Sequence, residues 1–404
     1  MTKKRYYSLD VFRGAAVALM ILVNNPGSWS YMFAPMKHAP WHGVTPTDLV
    51  FPFFLFAVGN AMVFVMPRLI EKGNAVFWVK VIKRTLLIFA IGLFLNWFPF
   101  VQWSGGTLVF KHWVNPNNPE QGIRILGVLQ RIALAYFFAS ILVFYLREKS
   151  LIWVSTGVLF LYWALTAWAG GSDPYSLEGW FGTQIDLDIL GIAHMYKGEG
   201  VPFDPEGIVS TLPAVIQVVF GYLTGLLIQK KGDVSWLWPK FPKTEDGDFK
   251  ITSVLMVIGF VFLVLGWAWS LGFPLNKKIW TSSYVLYTTG LAVLTLGALV
   301  WYLEVGKVKN FVTQFFDVFG KNPLFIFVLS GLLPRLMGLI RIPKGVSSEG
   351  EVLYTSPLRW YYESVCAKIP GPPEWGSFAY AFTFLVFMWV ICYYLDKKRI
   401  YIKV

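Results

Sequence analysis

Ten stretches of the chain are almost continuously apolar, at roughly 9–26, 47–66, 79–98, 124–146, 151–169, 209–229, 251–273, 280–301, 315–340 and 377–395, and polar residues collect in the intervals between them. A hydrocarbon core takes about 20 apolar residues per crossing helix. The pattern therefore predicts an all-α, polytopic membrane protein with about ten transmembrane helices. Paired strands would need a closed barrel and alternating polarity, and these runs are continuous. The short basic start Lys3-Lys4-Arg5 leads into an apolar run without a small-residue cleavage site, so the first segment is expected to stay as a span. Residues 1–404 are expected to form a single transmembrane domain, with outer loops at 27–48, 99–124, 170–208 and 341–376.

Composition agrees with the pattern. The chain is 56% hydrophobic and 14% charged, where a soluble globule carries about 25% charged residues. Counting along alternating loops, one set of ends holds 21 of the 35 Lys and Arg; the other holds 11, against 13 acids. By the positive-inside rule the first set is cytoplasmic, and so are both termini. A basic inner face attracts phosphate-bearing small molecules and anionic membrane lipid alike; no nucleic-acid partner is expected.

The polar residues at and inside the spans narrow the chemistry. Lys37-His38-Ala39-Pro40-Trp41-His42-Gly43-Val44-Thr45-Pro46-Thr47-Asp48 puts two of the four histidines, a tryptophan and a carboxylate at one boundary, where polar groups are costly unless used. An imidazole with an ordinary pKa near 6.5 serves as a base at neutral pH. Asn24, atop the first span, can converge on His38, and an amide beside an imidazole suits acyl transfer: one takes a proton, the other holds an oxyanion. His38 can act as base or as the nucleophile that carries the acyl group, with Asp48 orienting it. Asp10 and Arg13 have ion-pair spacing, so Arg13 is either a staple or an anion contact. Arg131, inside the fourth span, must face the bundle interior or a polar pocket as a ligand contact or a salt-bridge partner. Lys80, Lys83, Arg84 and Lys321 complete the inner-face candidates for phosphate. Trp41, His42, Asp204, Glu206, Asn276, Lys277 and Trp280 are the outer candidates for an acceptor. His112 and His194 read as surface residues. Cys366 and Cys392 lie at different depths and are not expected to pair, and without CxxC, HExxH or a Walker-type loop no metal is expected.

Ser-Leu-Asp-Val-Phe-Arg-Gly at 8–14, Leu-Val-Asn at 22–24, the segment 37–52, Phe-Asp-Pro-Glu-Gly at 203–207 and Asn-Lys-Lys-Ile-Trp-Thr-Ser-Ser-Tyr at 276–284 together resemble the heparan-α-glucosaminide N-acetyltransferase family and its bacterial relatives, over nearly the whole chain. The resemblance implies an acyltransferase that takes acetyl-CoA on the cytoplasmic side and delivers acetyl to an amino sugar across the membrane. The family's active-site histidine falls on His38 and its neighbouring amide on Asn24. His42 stands where the lysosomal enzyme has Asn, so either imidazole can be the base on this reading. The Lys-rich start and compact loops imply a bacterial inner membrane and a monosaccharide or cell-wall fragment as acceptor. Members of this kind can form homodimers. The rival reading is a proton-coupled secondary transporter of sugars or peptides, with His38, Asp48 and Arg131 as a relay.

Overall fold

The structure is a computed structural model describing residues 6–235, 247–348 and 350–402. The basic start at Lys3-Lys4-Arg5 and part of the inner loop at 230–250 lie outside the described residues. Fourteen α-helices follow in chain order: α1 (Tyr7–Asn24), α2 (Val50–Met62), α3 (Met66–Lys72), α4 (Asn74–Trp97), α5 (Val128–Tyr145), α6 (Glu148–Ala169), α7 (Gly182–Leu190), α8 (Thr211–Gln229), α9 (Gly247–Trp269), α10 (Ser282–Val300), α11 (Phe311–Lys321), α12 (Pro323–Met337), α13 (Pro357–Ser364) and α14 (Pro373–Lys397).

Among the described residues, seven helices are long and apolar enough to cross a membrane, or up to nine if each of two bent pairs is one span. One pair is Pro46–Met62 with α3, bent by 44°, and the other is α11 with α12, bent by 83°. The second bend falls at Asn322-Pro323, where proline opens the new helix without needing a hydrogen bond for its nitrogen. The tenth expected span corresponds to α4, whose first half carries Lys80, Lys83 and Arg84. Those three cations take it out of the apolar class, although the helix is 24 residues long.

The all-α expectation needs one amendment. Among the described residues, three antiparallel hairpins occupy long connections: β1 (Val101–Ser104) with β2 (Thr107–Phe110), β3 (Val114–Asn115) with β4 (Asn118–Gly122), and β5 (Ile342–Val346) with β6 (Val352–Thr355). Outside the spans a chain can satisfy its backbone locally, and Gly105-Gly106 supplies the positive-φ turn between β1 and β2.

Glycines set how closely the central helices meet. A Cβ added at Gly14 on α1 would lie 1.7 Å from the Phe316 carbonyl oxygen on α11, and one at Gly59 on α2 would lie 2.0 Å from that of Val218 on α8. Such backbone contact is how helices associate where no water drives apolar burial. It places α1, α2, α8 and α11 around one apolar core that includes Val17, Ile21, Leu55, Val218 and Phe319. Cys366 and Cys392 are both buried and unpaired.

Candidate active site

The segment between α1 and α2 is short of regular structure because proline and glycine punctuate it at Pro35, Pro40, Gly43 and Pro46. Asp48 organises it. It is 1% exposed and stands in a short 3-10 turn (Pro46–Leu49) capped by Thr45. Its Oδ2 accepts from the backbone N–H groups of Ala39 and Thr45, each at 3.0 Å, and its Oδ1 lies 2.6 Å from His38 Nδ1. A carboxylate there fixes the proton on Nδ1 and leaves Nε2 as the basic nitrogen. Tyr284 on α10 donates its hydroxyl to the Asp48 carbonyl at 2.5 Å, tying the turn to the bundle.

A second loop, ahead of α10, meets this one. Asn276 is fully buried, and its Oδ1 accepts from the N–H groups of Lys278 and Ile279 at 2.8 and 3.1 Å. That closes a tight turn and presents Lys277, Lys278 and Trp280 to the first loop. Lys277 Nζ comes to 3.1 Å of His38 Nδ1 and 3.4 Å of Asp48 Oδ1. Burial pulls the Lys277 ammonium below its usual range, and the Asp48 and Glu206 carboxylates partly offset this. Lys278 bonds the Pro40 carbonyl at 2.8 Å and Glu199 at 2.5 Å.

The third contribution precedes α8. Arg124 binds Asp204 through Nε and Nη2 at 3.0 and 2.6 Å and Glu206 at 2.5 Å. Burial works against the Arg124 charge, yet the two carboxylates outweigh it and hold the guanidinium above its ordinary pKa. Burial would likewise raise Glu206, but Arg124 and Arg131 bring it below the usual carboxylate value. Together these loops enclose a cavity of about 230 Å³ lined by His38, Trp41, Asp48, Arg124, Glu206 and Lys277, with Trp280, Tyr196, Glu199 and Lys278 completing the wall.

A larger cavity of about 630 Å³ lies among α1, α2, α4, α11 and α12. Arg13, Arg84, Lys321, Asn60 and the two tyrosines Tyr6 and Tyr401 line it. Arg13 pairs with Asp10 at 2.6 Å and donates to the Gly320 carbonyl at 2.8 Å. Lys321 is shared between Asp317 and Asp396 at 2.7 and 2.9 Å. Arg84 stacks 4.7 Å from the Tyr136 ring centroid, and its buried Nε has no hydrogen-bond partner. The donor set, three cations with one guanidinium nitrogen unspent beside tyrosine rings, fits a phosphate-bearing, ring-bearing ligand.

The structure thus gathers His38, Asp48, Trp41, Glu206, Lys277 and Trp280 at one cavity and Arg13, Arg84 and Lys321 at the other. Lys80 and Lys83 are exposed on α4 and line neither. Asn24 is exposed at the end of α1 and is not brought to the His38 cavity. Asp204 is buried against Arg124, and Asn276 holds its own turn; neither faces the cavity. His42 also lies off the cavity, 3.3 Å from the Asn276 amide, with burial lowering its pKa. Arg131 sits one turn inside α5 near the His38 end, away from the cationic cavity. His194 is not the partnerless surface residue expected: its Nδ1 lies 2.7 Å from the Ile123 carbonyl and its ring 4.8 Å from that of Trp113. Sequence reasoning missed Arg124, Lys278 and Glu199. A clue existed for the first, because two carboxylates spaced as in Asp204-Pro205-Glu206 require a cation once buried.

Comparison with known proteins bears on the whole arrangement. Residues 5–259 match the model of the heparan-alpha-glucosaminide N-acetyltransferase catalytic region. The heparan-alpha-glucosaminide N-acetyltransferase of Homo sapiens is 26% identical over 379 residues, covering 80% of this chain and 52% of that protein. Its Mus musculus counterpart is 25% identical over 380 residues, covering 80% and 53%. The chain spans about half the length of these relatives. With the matched region containing the His38–Asp48 pair, Arg124, the Asp204–Glu206 pair and the start of the cationic cavity, the chain belongs to the heparan-alpha-glucosaminide N-acetyltransferase catalytic family.

Proposed function

We propose that this protein is a transmembrane acetyltransferase that takes acetyl from acetyl-CoA, bound at the Arg13 end, and transfers it to the amine of a glucosamine-type amino sugar at the His38 end. The observation that carries the reading is the His38–Asp48 pair at 2.6 Å in the wall of a cavity about one sugar in size. The orientation implied by the loop charges, with both termini cytoplasmic in a bacterial inner membrane and α4 counted as a tenth span, puts the cationic cavity inside. Coenzyme A supplies a thioester whose acyl carbon is open to an amine. Arg84, Arg13 and Lys321 would hold its phosphates.

In this reading His38 removes the proton of the attacking amine through Nε2, a positioned base being worth about 10²–10⁴ in rate. Asp48 keeps the imidazole in the useful tautomer and stabilises its charged form. Trp41 offers a ring for the sugar face, held by its indole N–H on the Tyr175 carbonyl at 2.7 Å, and Glu206 offers a carboxylate for an ammonium or hydroxyl. Lys277 keeps a positive charge against Asp48.

The test is sided transfer in proteoliposomes: labelled acetyl-CoA on one side, glucosamine on the other. Transfer by wild type, abolished by His38→Ala and retained by His42→Ala, is expected. Uptake of free sugar independent of acetyl-CoA, without acetylation, would replace this reading by the transporter.

A further inference from the structure

Beneath the His38 cavity lies a group of buried donors with nothing to bond. Trp280 is 1% exposed, lines the cavity, and its indole Nε1 has no hydrogen-bond partner. Arg131 is fully buried with its guanidinium carbon 5.1 Å from the Trp280 ring centroid. Its Nη2 is spent on Ser210 Oγ and, at 3.3 Å, on the Gly207 carbonyl, while Nε and Nη1 have no partner. Unsatisfied donors of this kind are rare in folded proteins.

The backbone adds an independent sign. Trp280 has φ of 52°, the left-handed region that a bulky residue seldom adopts. The turn imposes it, with Trp280 N–H donating to the Lys277 carbonyl at 3.2 Å and Thr281 N–H to the Asn276 carbonyl at 3.1 Å. Edge contacts to Phe51 and Tyr284, at 5.1 and 5.3 Å between ring centroids, then hold the indole against the Asp48 turn. Strain kept in place by surrounding structure collects at functional sites. Meanwhile the amide that the sequence suggested for the oxyanion, Asn24, is exposed and does not line the cavity.

We propose that the Trp280 indole N–H is the donor that holds the developing oxyanion of the acyl group, with the buried Arg131 cation behind the ring reinforcing it. The inference rests on the acetyl-transfer reading above. As the amine nitrogen bonds to the acyl carbon, the carbonyl π pair moves onto oxygen and is met by the indole N–H. His38 Nε2 takes the nitrogen's proton. Collapse re-forms the carbonyl, breaks the carbon–sulfur bond, and the thiolate leaves with the proton returned by His38, so that amide and free thiol are the products.

The experiment uses His38→Ala, which cannot turn over, loaded with acetyl-CoA carrying a ¹³C-labelled carbonyl. Its infrared carbonyl band is expected at lower frequency than in buffer, and adding Trp280→Phe, which keeps a ring and deletes the N–H, is expected to return the band to its buffer position with coenzyme A affinity unchanged. In the otherwise wild-type chain Trp280→Phe should lower kcat about 10²–10³-fold, the usual loss of one oxyanion donor, with both KM values kept. An identical band with and without Trp280→Phe, or a KM effect alone, would overturn the inference and leave the acetyltransferase standing. Failure of acetyl-CoA to bind the His38→Ala protein at all would overturn both. If Trp280→Phe does not fold, Arg131→Gln serves instead: a partial return of the band is expected, and an unmoved band counts against the role.

Discussion

The two cavities are opposite in design: mainly loops line the one at His38, and α1, α2, α4, α11 and α12 line the one at Arg13. At the His38 end about 230 Å³ is enclosed by acids and bases, nearly all of which already hold one another: His38 with Asp48, Arg124 with Asp204 and Glu206, Lys278 with Glu199. At the Arg13 end about 630 Å³ is lined mainly by apolar side chains with a few cations, two of them bonded to carboxylates and Arg84 to none. The first is preorganised, so its groups need not rearrange when charge develops, which is what chemistry demands. The second is roomier and cationic, with the Arg84 Nε unspent, which suits an anion of larger size. Along the short turn at Pro46–Leu49 and α2, the nearest lining residues of the two, Asp48 and Ala57, are nine positions apart, about 14 Å at 1.5 Å per residue. Buried Val17, Ile21, Phe51 and Leu55 fill the core at that depth.

If that division is right, damage at one end should leave the other working. The largest effect is expected from Asp48→Asn, which frees the imidazole tautomer and loosens the backbone turn that the carboxylate gathers. Transfer should fall about 10²–10⁴-fold, while coenzyme A binding, read by calorimetry, stays as in wild type. Weaker coenzyme A binding in that variant would break the comparison.

Next comes Arg84→Ala at the other end. Losing one charge-assisted contact of about 1.5–3 kcal/mol should raise KM for acetyl-CoA by roughly 10-fold or more and leave KM for the amino sugar alone, in steady-state assays varying each substrate. Lys80→Ala, exposed on the same helix and off the cavity, is the matched control and should change neither.

A smaller shift is expected from Trp41→Ala. Loss of a stacking face worth about 1 kcal/mol should raise KM for the amino sugar about 5-fold, and acetyl-CoA titration should show no change.

The smallest concerns Asp186 on α7, whose carboxyl burial pushes up to about 6 while the Ile208 N–H bonds it and the Asp204 charge opposes ionisation. A folded-state pKa above the unfolded value means the folded protein holds its proton more tightly, so stability from this group is full at low pH and is lost as pH rises through about 6. Asp186→Asn should therefore raise the thermal midpoint most at pH 7.5, less at pH 5, and leave it nearly unchanged at pH 3, below the ordinary carboxyl value near 4. An equal shift at all three pH values would show that Asp186 titrates normally.

Much of this was legible along the chain. The apolar runs at 9–26, 124–146, 151–169, 209–229 and 377–395 each coincide with a helix fit to cross a membrane, because hydrophobic length is a one-dimensional property. The run at 79–98 coincides with α4, though the cations at 80–84 keep that helix out of the set apolar enough to cross a membrane, and the bend at Asn322-Pro323 is visible as a proline but its 83° angle is not. In the candidate site, His38 and Asp48 were readable as partners since they are ten residues apart on one proline-punctuated loop.

What the amino-acid order determined by itself is the membrane class, the approximate spans, the uneven division of charge between alternate loops and the identity of the His38–Asp48 segment; all of these depend on local composition or near neighbours. Tertiary structure alone decided which remote groups meet that segment. Lys277 reaches His38 across 239 positions and Arg124 reaches Asp204 across 80. It also decided that Asn24 stays outside while Trp280 and Arg131, one strained and both with unspent donors, lie beneath the cavity. Such meetings follow from how closely helices pack at Gly14 and Gly59 and from how two loops fold over them, and no spacing within a single segment encodes that distance.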